Sequence, residues 1–188
     1  MLYAKRWDKA ADAAAKVVAK EGELYDLMPN YADVFNQPDF CKETVLGYRF
    51  HGQLTHSTLF DKQYSPKGDF PETNTDGKCL AVPTQELVDS YRMADGSNFD
   101  WNNPTHAANP YKDREPRFYA SILYNGATWK GRTIETFVGG TDGFKPFDVE
   151  AYPNATTTGY YIRKLLNESV KDMTVKGTTC WNEVRYAE

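Results

Sequence analysis

Only one stretch of this sequence holds a helical period for several turns. Over residues 2–21, Trp7, Ala10, Ala11, Ala14, Val17 and Val18 recur at steps of three and four, while Lys5, Asp8, Asp12 and Lys16 fall between them. The spacing predicts an amphipathic helix whose stripe, made mostly of alanine, admits close approach of another helix. Gly22 is placed to stop it. Asn30 predicts a cap for a short second helix through Phe35, with Tyr31, Val34 and Phe35 turned inward, before Pro38 ends it. Together they predict a helical hairpin over residues 1–36 with Trp7 covered. No second full-length helical repeat follows, so the chain is not a solenoid in itself.

Past Pro38 the pattern changes. Residues 44–50 alternate, with Leu46, Tyr48 and Phe50 on one side, which predicts a strand. Residues 51–83 are polar and rich in turn formers, including Asp76-Gly77, and a structureless run of that length belongs to a binding loop or rests on a larger body. Thr84 predicts a cap for a helix over residues 85–93, with Leu87, Val88 and Tyr91 inward, Glu86 at the positive end of the dipole and Asp95-Gly96 closing it. A second loop carries Trp101, Asn103 and Pro104. Residues 118–124, 132–137 and 159–165 then read as short strands between glycine-containing turns.

Composition narrows the function. With 40% hydrophobic and 26% charged residues in 188, the chain can bury a core and belongs to neither the disordered nor the collagenous class. No run approaches the ~18 apolar residues of a membrane span, and the first residues lack the basic-then-apolar layout of a secretory leader. A net charge of -4 with both signs interspersed excludes the basic footprint of a nucleic-acid binder. The aromatic share is 14%, against a mean hydropathy of -0.68, so many rings must stand at polar places. Tyr and Trp join an apolar face to a polar tip, which suits stacking on flat ligands such as sugar rings; the same rings also fill loop-rich cores.

The motifs of catalysis are missing. GxSxG, GxxxxGK[ST] and GxGxxG do not occur, and His51, His56 and His106 form neither HExxH nor a helical metal pair. Residues 72–77 resemble a calcium loop, but the first position is Glu and the twelfth would be Pro83, so the segment reads as a turn and no metal is expected. Gly139-Gly140 lacks strand-to-helix context and also reads as a turn. Paired carboxylates for glycoside hydrolysis are a matter of spacing in space, so 26 acidic residues neither show nor exclude them. Cys41, Cys79 and Cys180 allow one bridge with a free thiol or three thiols.

Taken in chain order, several segments carry a resemblance. They are Trp7-Asp-Lys-Ala-Ala-Asp-Ala-Ala; Tyr25-Asp-Leu and Tyr31-Ala-Asp-Val-Phe35; Pro83-Thr-Gln-Glu-Leu-Val-Asp-Ser-Tyr91 through Gly96; Asn109-Pro-Tyr; Glu115-Pro-Arg-Phe-Tyr through Gly126; Trp129-Lys-Gly131; Thr158-Gly-Tyr-Tyr-Ile-Arg-Lys164; and Arg185-Tyr-Ala-Glu188. In this order they resemble the SusD/RagB family of outer-membrane nutrient-binding lipoproteins. The resemblance implies a mainly α, SusD-like fold: a TPR-like helical hairpin (residues 1–36) packed on a loop-rich body with a few short strands (residues 37–188). It further implies a non-catalytic, cofactor-free protein at the cell surface, lipid-anchored in full length. Such a protein captures an oligosaccharide or peptide-like nutrient and passes it to a TonB-dependent SusC-like transporter. A scaffold or lid of the transporter complex, and a glycan hydrolase, are the alternatives. Family members have a leader, a lipidated cysteine, more helices and a long helix beyond the last motif, so the resemblance implies an internal portion, less than half of a member.

Physical reasons attach to particular residues. Arg117, after Glu115-Pro116, is expected to be a buried guanidinium serving several carbonyls beside a turn. Gly96, Gly126 and Gly131 suit tight turns, and Trp129 between two of them is either a core plug or a platform. Tyr160 and Tyr161 on one strand must face opposite ways. Ligand contacts are expected in two loops, residues 51–83 and 97–111, whose rings exceed what turns need: Tyr64 and Phe70 in the first, Phe99, Trp101 and Tyr111 in the second. Asn102 and Asn103 stand beside Trp101, whose indole offers a flat face to the C–H side of a sugar while amides serve its hydroxyls.

Overall fold

A computed structural model describes residues 5–36, 39–50, 53–56, 60–70, 79–144, 155–170 and 176–188. The chain forms two compact units, one of Met1–Thr55 with Thr178–Glu188 and one of His56–Gly177.

In the first unit the periodic segment forms α1 (Trp7–Val18), with Asp8 in its first turn and Lys16 in its last, each opposing the dipole at its own end. Gly22 beyond it has φ +73°, the left-handed conformation that suits a chain leaving a helix. The expected covering of the stripe is not found: no residue of α1 is buried, and Trp7 is 60% exposed. The partner expected for it is α2 (Asp33–Asn36), a single turn that buries Val34 and Phe35 elsewhere. They lie by an antiparallel two-stranded sheet of β1 (Thr44–Tyr48) and β6 (Trp181–Arg185). Asn182 Nδ2 donates to the Val34 carbonyl at 2.9 Å, and the Arg185 guanidinium sits 5.4 Å from the Phe35 ring centre. The buried carboxylate of Glu43 joins three segments, accepting from the Met28 N–H at 2.9 Å and pairing with Arg185 at 3.3 Å.

The second unit holds α3 (Phe60–Tyr64), a 3-10 turn (Lys67–Asp69), α4 (Gln85–Ser90), α5 (Pro104–Ala108) and α6 (Pro116–Ser121). Its strands are β2 (Ile122–Leu123), β3 (Thr128–Trp129), β4 (Arg132–Thr133) and β5 (Tyr161–Ile162), paired β2–β5 and β3–β4, both antiparallel. Thus the polar run 51–83 carries a helix and a helical turn of its own. Residues 118–124 are corrected from strand to mostly helix. Pro116 at the first position supplies the right φ, and Phe118, Ser121 and Ile122 then fall on one buried face. Residues 132–137 and 159–165 keep only two residues of strand each.

Thr84 caps α4 as expected, its hydroxyl accepting from the Leu87 N–H at 3.3 Å, but the helix ends at Ser90. In so short a helix only Val88 turns fully inward; Leu87 is 47% exposed. Between β3 and β4 lie Lys130 and Gly131, both with positive φ, the backbone that matches strand twist in a two-residue hairpin.

Two apolar clusters form the core. One gathers Leu123, Ala127, Trp129, Ile134, Tyr161 and Leu166; the other gathers Val88, Phe118, Ile122 and Tyr160. Tyr160 and Tyr161 thus face opposite ways, and Trp129 is a core plug with no exposed surface. Its indole N–H donates to Asp69 at 2.9 Å, and Arg132 bridges Asp69 (2.7 Å) and the buried Asp142 (2.7 and 2.8 Å). Cys41, Cys79 and Cys180 are all free thiols.

Candidate functional site

The rings of the second unit are ordered by short polar turns. Between α4 and α5, the Asp95 carboxylate accepts from the Ser97 hydroxyl (2.7 Å) and N–H (2.9 Å), and these bonds lower its pKa. The Asp100 carboxylate accepts from the Asn102 N–H at 2.8 Å and from Asn102 Nδ2 at 3.0 Å. The Asp100 N–H in turn donates to His106 Nδ1 at 3.2 Å. Asn103 caps α5, its amide oxygen accepting from the Thr105 N–H at 3.0 Å, with Pro104 opening the helix.

On this frame Phe99 and Trp101 meet edge to face, ring centres 4.9 Å apart, and His106 stacks on Phe99 at 5.5 Å. The Trp101 indole N–H donates to Asp89 Oδ2 on α4 at 2.8 Å. Asp89 Oδ1 accepts from Gln85 Nε2 (2.8 Å), Gln85 Oε1 accepts from the Tyr160 hydroxyl (3.0 Å), and that hydroxyl lies 3.2 Å from the hydroxyl of Tyr111. A polar chain therefore runs from Trp101 to Tyr111. Burial, and then the Tyr160 hydroxyl, push the Tyr111 phenol well above its ordinary pKa.

Beneath the rings lies Arg114, 2% exposed. Its guanidinium sits 4.4 Å from the Phe99 ring centre and 4.8 Å from that of Phe118. Nη2 donates to the carbonyls of Val88 (2.6 Å) and Tyr91 (2.8 Å), and Nη1 to that of Pro110 (2.9 Å). The carbonyl-serving guanidinium expected at Arg117 is thus Arg114. Arg117 is mostly exposed and pairs with Glu115 at 2.6 Å, because α6 turns it outward. Burial lowers the Arg114 pKa, with Asp89 acting in the opposite sense.

Beyond Phe118, Tyr111 stacks on Tyr124 at 4.4 Å. These rings, with Tyr119, wall an open depression of about 480 Å³.

Among the residues expected from sequence, Phe99, Trp101, Asn102 and Asn103 share one loop, and Arg114 and Phe118 connect them to Tyr111. Asn103 is committed to capping. Tyr64 packs against Phe60 at 4.5 Å on the edge of the first cluster, and half-buried Phe70 closes the 3-10 turn. Residues 72–77 lie outside the described residues. Asp89, Gln85, Arg114, Tyr119, Tyr124 and Tyr160 were not expected as a group. The available signal was ring density around Arg114: Tyr111, Phe118, Tyr119 and Tyr124 fall within ten residues of it.

Trp101 is 47% exposed with its polar edge already satisfied, so the surface it offers is apolar and fixed in orientation. Carboxylates and amides of the same loop stand around it. Such a site favours a ligand with a flat C–H face and peripheral hydroxyls.

The comparisons agree on one family. Two solved structures from Bacteroides fragilis share the fold. One is a SusD-like carbohydrate binding protein, 24% identical, TM-score 0.74, covering 96% of this chain and 34% of its own. The other is a SusD-like protein, 23% identical, TM-score 0.69, covering 99% of this chain and 38% of its own. This chain therefore spans little more than a third of either relative. No curated protein matches the sequence. The sequence model of the SusD family matches residues 42–188, most of the chain and all of the ring-bearing unit, and the chain belongs to that family.

Proposed function

We propose that this chain is part of a non-catalytic binding protein for an oligosaccharide, with Trp101 as the stacking platform and Asn102 beside it. One observation carries the reading: the indole N–H is held by Asp89 while nearly half of Trp101 remains exposed. A core tryptophan would be covered, and an incidental surface ring would not be locked by a carboxylate twelve residues away. Family membership, and the carbohydrate binding stated for one relative, support the same reading.

The wider role follows from the family: display at the outer membrane surface through a lipid anchor, and delivery of the glycan to a SusC-like TonB-dependent transporter. The exposed stripe of α1 fits a TPR-like packing surface within that picture. Among the described residues no helix is long and apolar enough to cross a membrane.

Calorimetric titration of a panel of plant, host and microbial oligosaccharides, with reducing-sugar release measured in parallel, tests it. Binding without release is expected, and Trp101→Ala should weaken it by on the order of 1–3 kcal/mol. Release of reducing sugar would make the protein a hydrolase; binding of no glycan would leave a scaffold.

A further inference from the structure

The depression at Tyr111, Tyr119 and Tyr124 differs in electrostatics from the Trp101 platform. The Trp101 platform has the carboxylates of Asp89 and Asp100 beside it, with Arg114 beneath the neighbouring Phe99 ring. Among the residues lining the depression the single charged side chain is Lys112. Its ammonium is exposed and only loosely held, 4.0 Å from an equally exposed Asp113 carboxylate. Directly behind two lining residues, Pro110 and Tyr119, lies Arg114, whose nitrogens bind carbonyls and which forms no ion pair among the described residues. Its Nε is buried without a hydrogen-bond partner. The carboxylates of Asp89 and Glu115 act on Arg114 through space and partly offset its charge, so Lys112 is the charge the wall itself presents.

The polar groups at this wall are also unevenly spent. Tyr111 and Tyr119 use their hydroxyls on Tyr160 and on the Tyr111 carbonyl. The Tyr124 hydroxyl and the Asn109 side-chain amide have no hydrogen-bond partner among the described residues. The depression therefore offers an aromatic wall, a free phenol, a free amide and an ammonium held only by the long contact to Asp113. Donors predominate, and no carboxylate lines it.

Resting on the glycan reading above, we propose that this depression is a second subsite and that it takes an acidic sugar residue, a uronic acid. The pyranose ring lies on the tyrosine wall, and its carboxylate faces Lys112 with Asn109 and Tyr124 donating to its oxygens. The glycan class recognised is thus one in which neutral and uronic residues occur in the same chain, the neutral unit on Trp101.

The test uses the full chain and three matched probe pairs: oligogalacturonate, glucuronoxylan oligosaccharides and hyaluronan oligosaccharides, each as the free acid and as its methyl ester, titrated by calorimetry. Esterification removes the charge and keeps the backbone and linkage. At least one acid form is expected to bind more tightly than its ester, with the difference shrinking as salt is raised. Lys112→Gln, an exposed change that leaves the core untouched, should weaken that acid form by about three- to fivefold, the scale of an exposed ion pair, and leave the ester unchanged. Tyr124→Phe should weaken both forms. If acid and ester bind alike for every pair, or if Lys112→Gln changes nothing, the acidic subsite is wrong. Neutral oligosaccharides that still bind and still lose affinity in Trp101→Ala would then leave the glycan reading standing. Binding of no glycan at all would remove both.

Discussion

Trp101 and Asp89, twelve residues apart, are joined by an indole-to-carboxylate hydrogen bond of 2.8 Å that fixes an exposed ring to α4. The bond separates two roles that one aromatic residue usually mixes. Its apolar surface is left for a ligand, while its polar edge serves the fold. Asp89→Asn keeps an acceptor but replaces a charged one, so it should retain most of the glycan affinity. Asp89→Ala removes the anchor and should cut affinity severalfold by letting the indole reorient. Tryptophan fluorescence anisotropy should fall in Asp89→Ala and stay unchanged in Asp89→Asn. Equal affinity in both variants would mean that the orientation of Trp101 is irrelevant to binding.

Arg132 joins two carboxylates that are almost fully withdrawn from water, Asp69 and Asp142. Burial opposes the charge on Arg132, yet the bonds to Asp142 and Asp69 outweigh it and raise its pKa. Asp142 also accepts from the N–H groups of Gly68 (2.9 Å) and Glu135 (3.0 Å), so it fastens the 3-10 turn to the β4 loop. Asp142→Ala leaves Arg132 with Asp69 alone and strands the Gly68 and Glu135 N–H groups, so it should destabilise the second unit by about 3 kcal/mol. Chemical denaturation measures it, and a loss below about 1 kcal/mol would show that water replaces the carboxylate.

Asp61 gives a pH dependence of definite sign. Burial raises its pKa, more than the donated N–H of Asn167 lowers it. The folded state then binds this proton more tightly than the unfolded state, so the contribution is fully present below the ordinary aspartate pKa of about 3.9 and is lost as pH rises through the raised folded value. Asp61→Asn keeps the acceptor for Asn167 and removes the charge. It should be more stable than the parent at pH 7, with the gap closing as pH falls toward 4. A gap that widens on acidification would reverse the assignment.

Cys79 packs against the first cluster, and burial pushes its thiol up to about 12. At pH 8 the thiolate fraction is then on the order of 10⁻⁴, and thiolate is the nucleophile. Iodoacetamide should leave Cys79 unmodified in the folded chain and label it after unfolding in guanidinium, as read by peptide mass spectrometry. Labelling at the rate of a free thiol in the native state would place Cys79 in solvent.

What sequence made legible follows the reach of each physical signal. Local signals are legible: the Thr84 cap, the opposed Tyr160 and Tyr161, and the turns at Gly126 and Gly131 depend on a few neighbouring residues. At residues 118–124 the β-branched and aromatic content favours a strand, but Pro116, whose fixed φ starts a helix, outweighs it. Phe99, Trp101 and Tyr111 were legible as surplus rings. Their connection was not, because Arg114 and Phe118 link them through packing between separate segments, which no spacing in sequence records. The same limit hides the role of Arg114: it and Arg117 both flank Glu115-Pro116, and only the outward turn of α6 tells them apart.

That pair of arginines supplies a direct contrast. Arg114 serves three carbonyls, those of Val88 and Tyr91 at the end of α4 and that of Pro110 before α6, and it lies between the rings of Phe99 and Phe118. Truncation strands those acceptors in a dry site and removes both ring contacts, so Arg114→Ala should cost about 3 kcal/mol or more. Arg114→Lys should rescue little, because one ammonium cannot reproduce a planar fork aimed at acceptors on two segments. Arg117→Ala removes an exposed guanidinium from Glu115, whose carboxylate keeps the Arg92 N–H, and should cost about 1 kcal/mol. Denaturation midpoints of the three variants decide it. Equal losses for Arg114→Ala and Arg117→Ala would mean that the guanidinium beneath the rings is not what holds the Trp101 loop to the tyrosine wall.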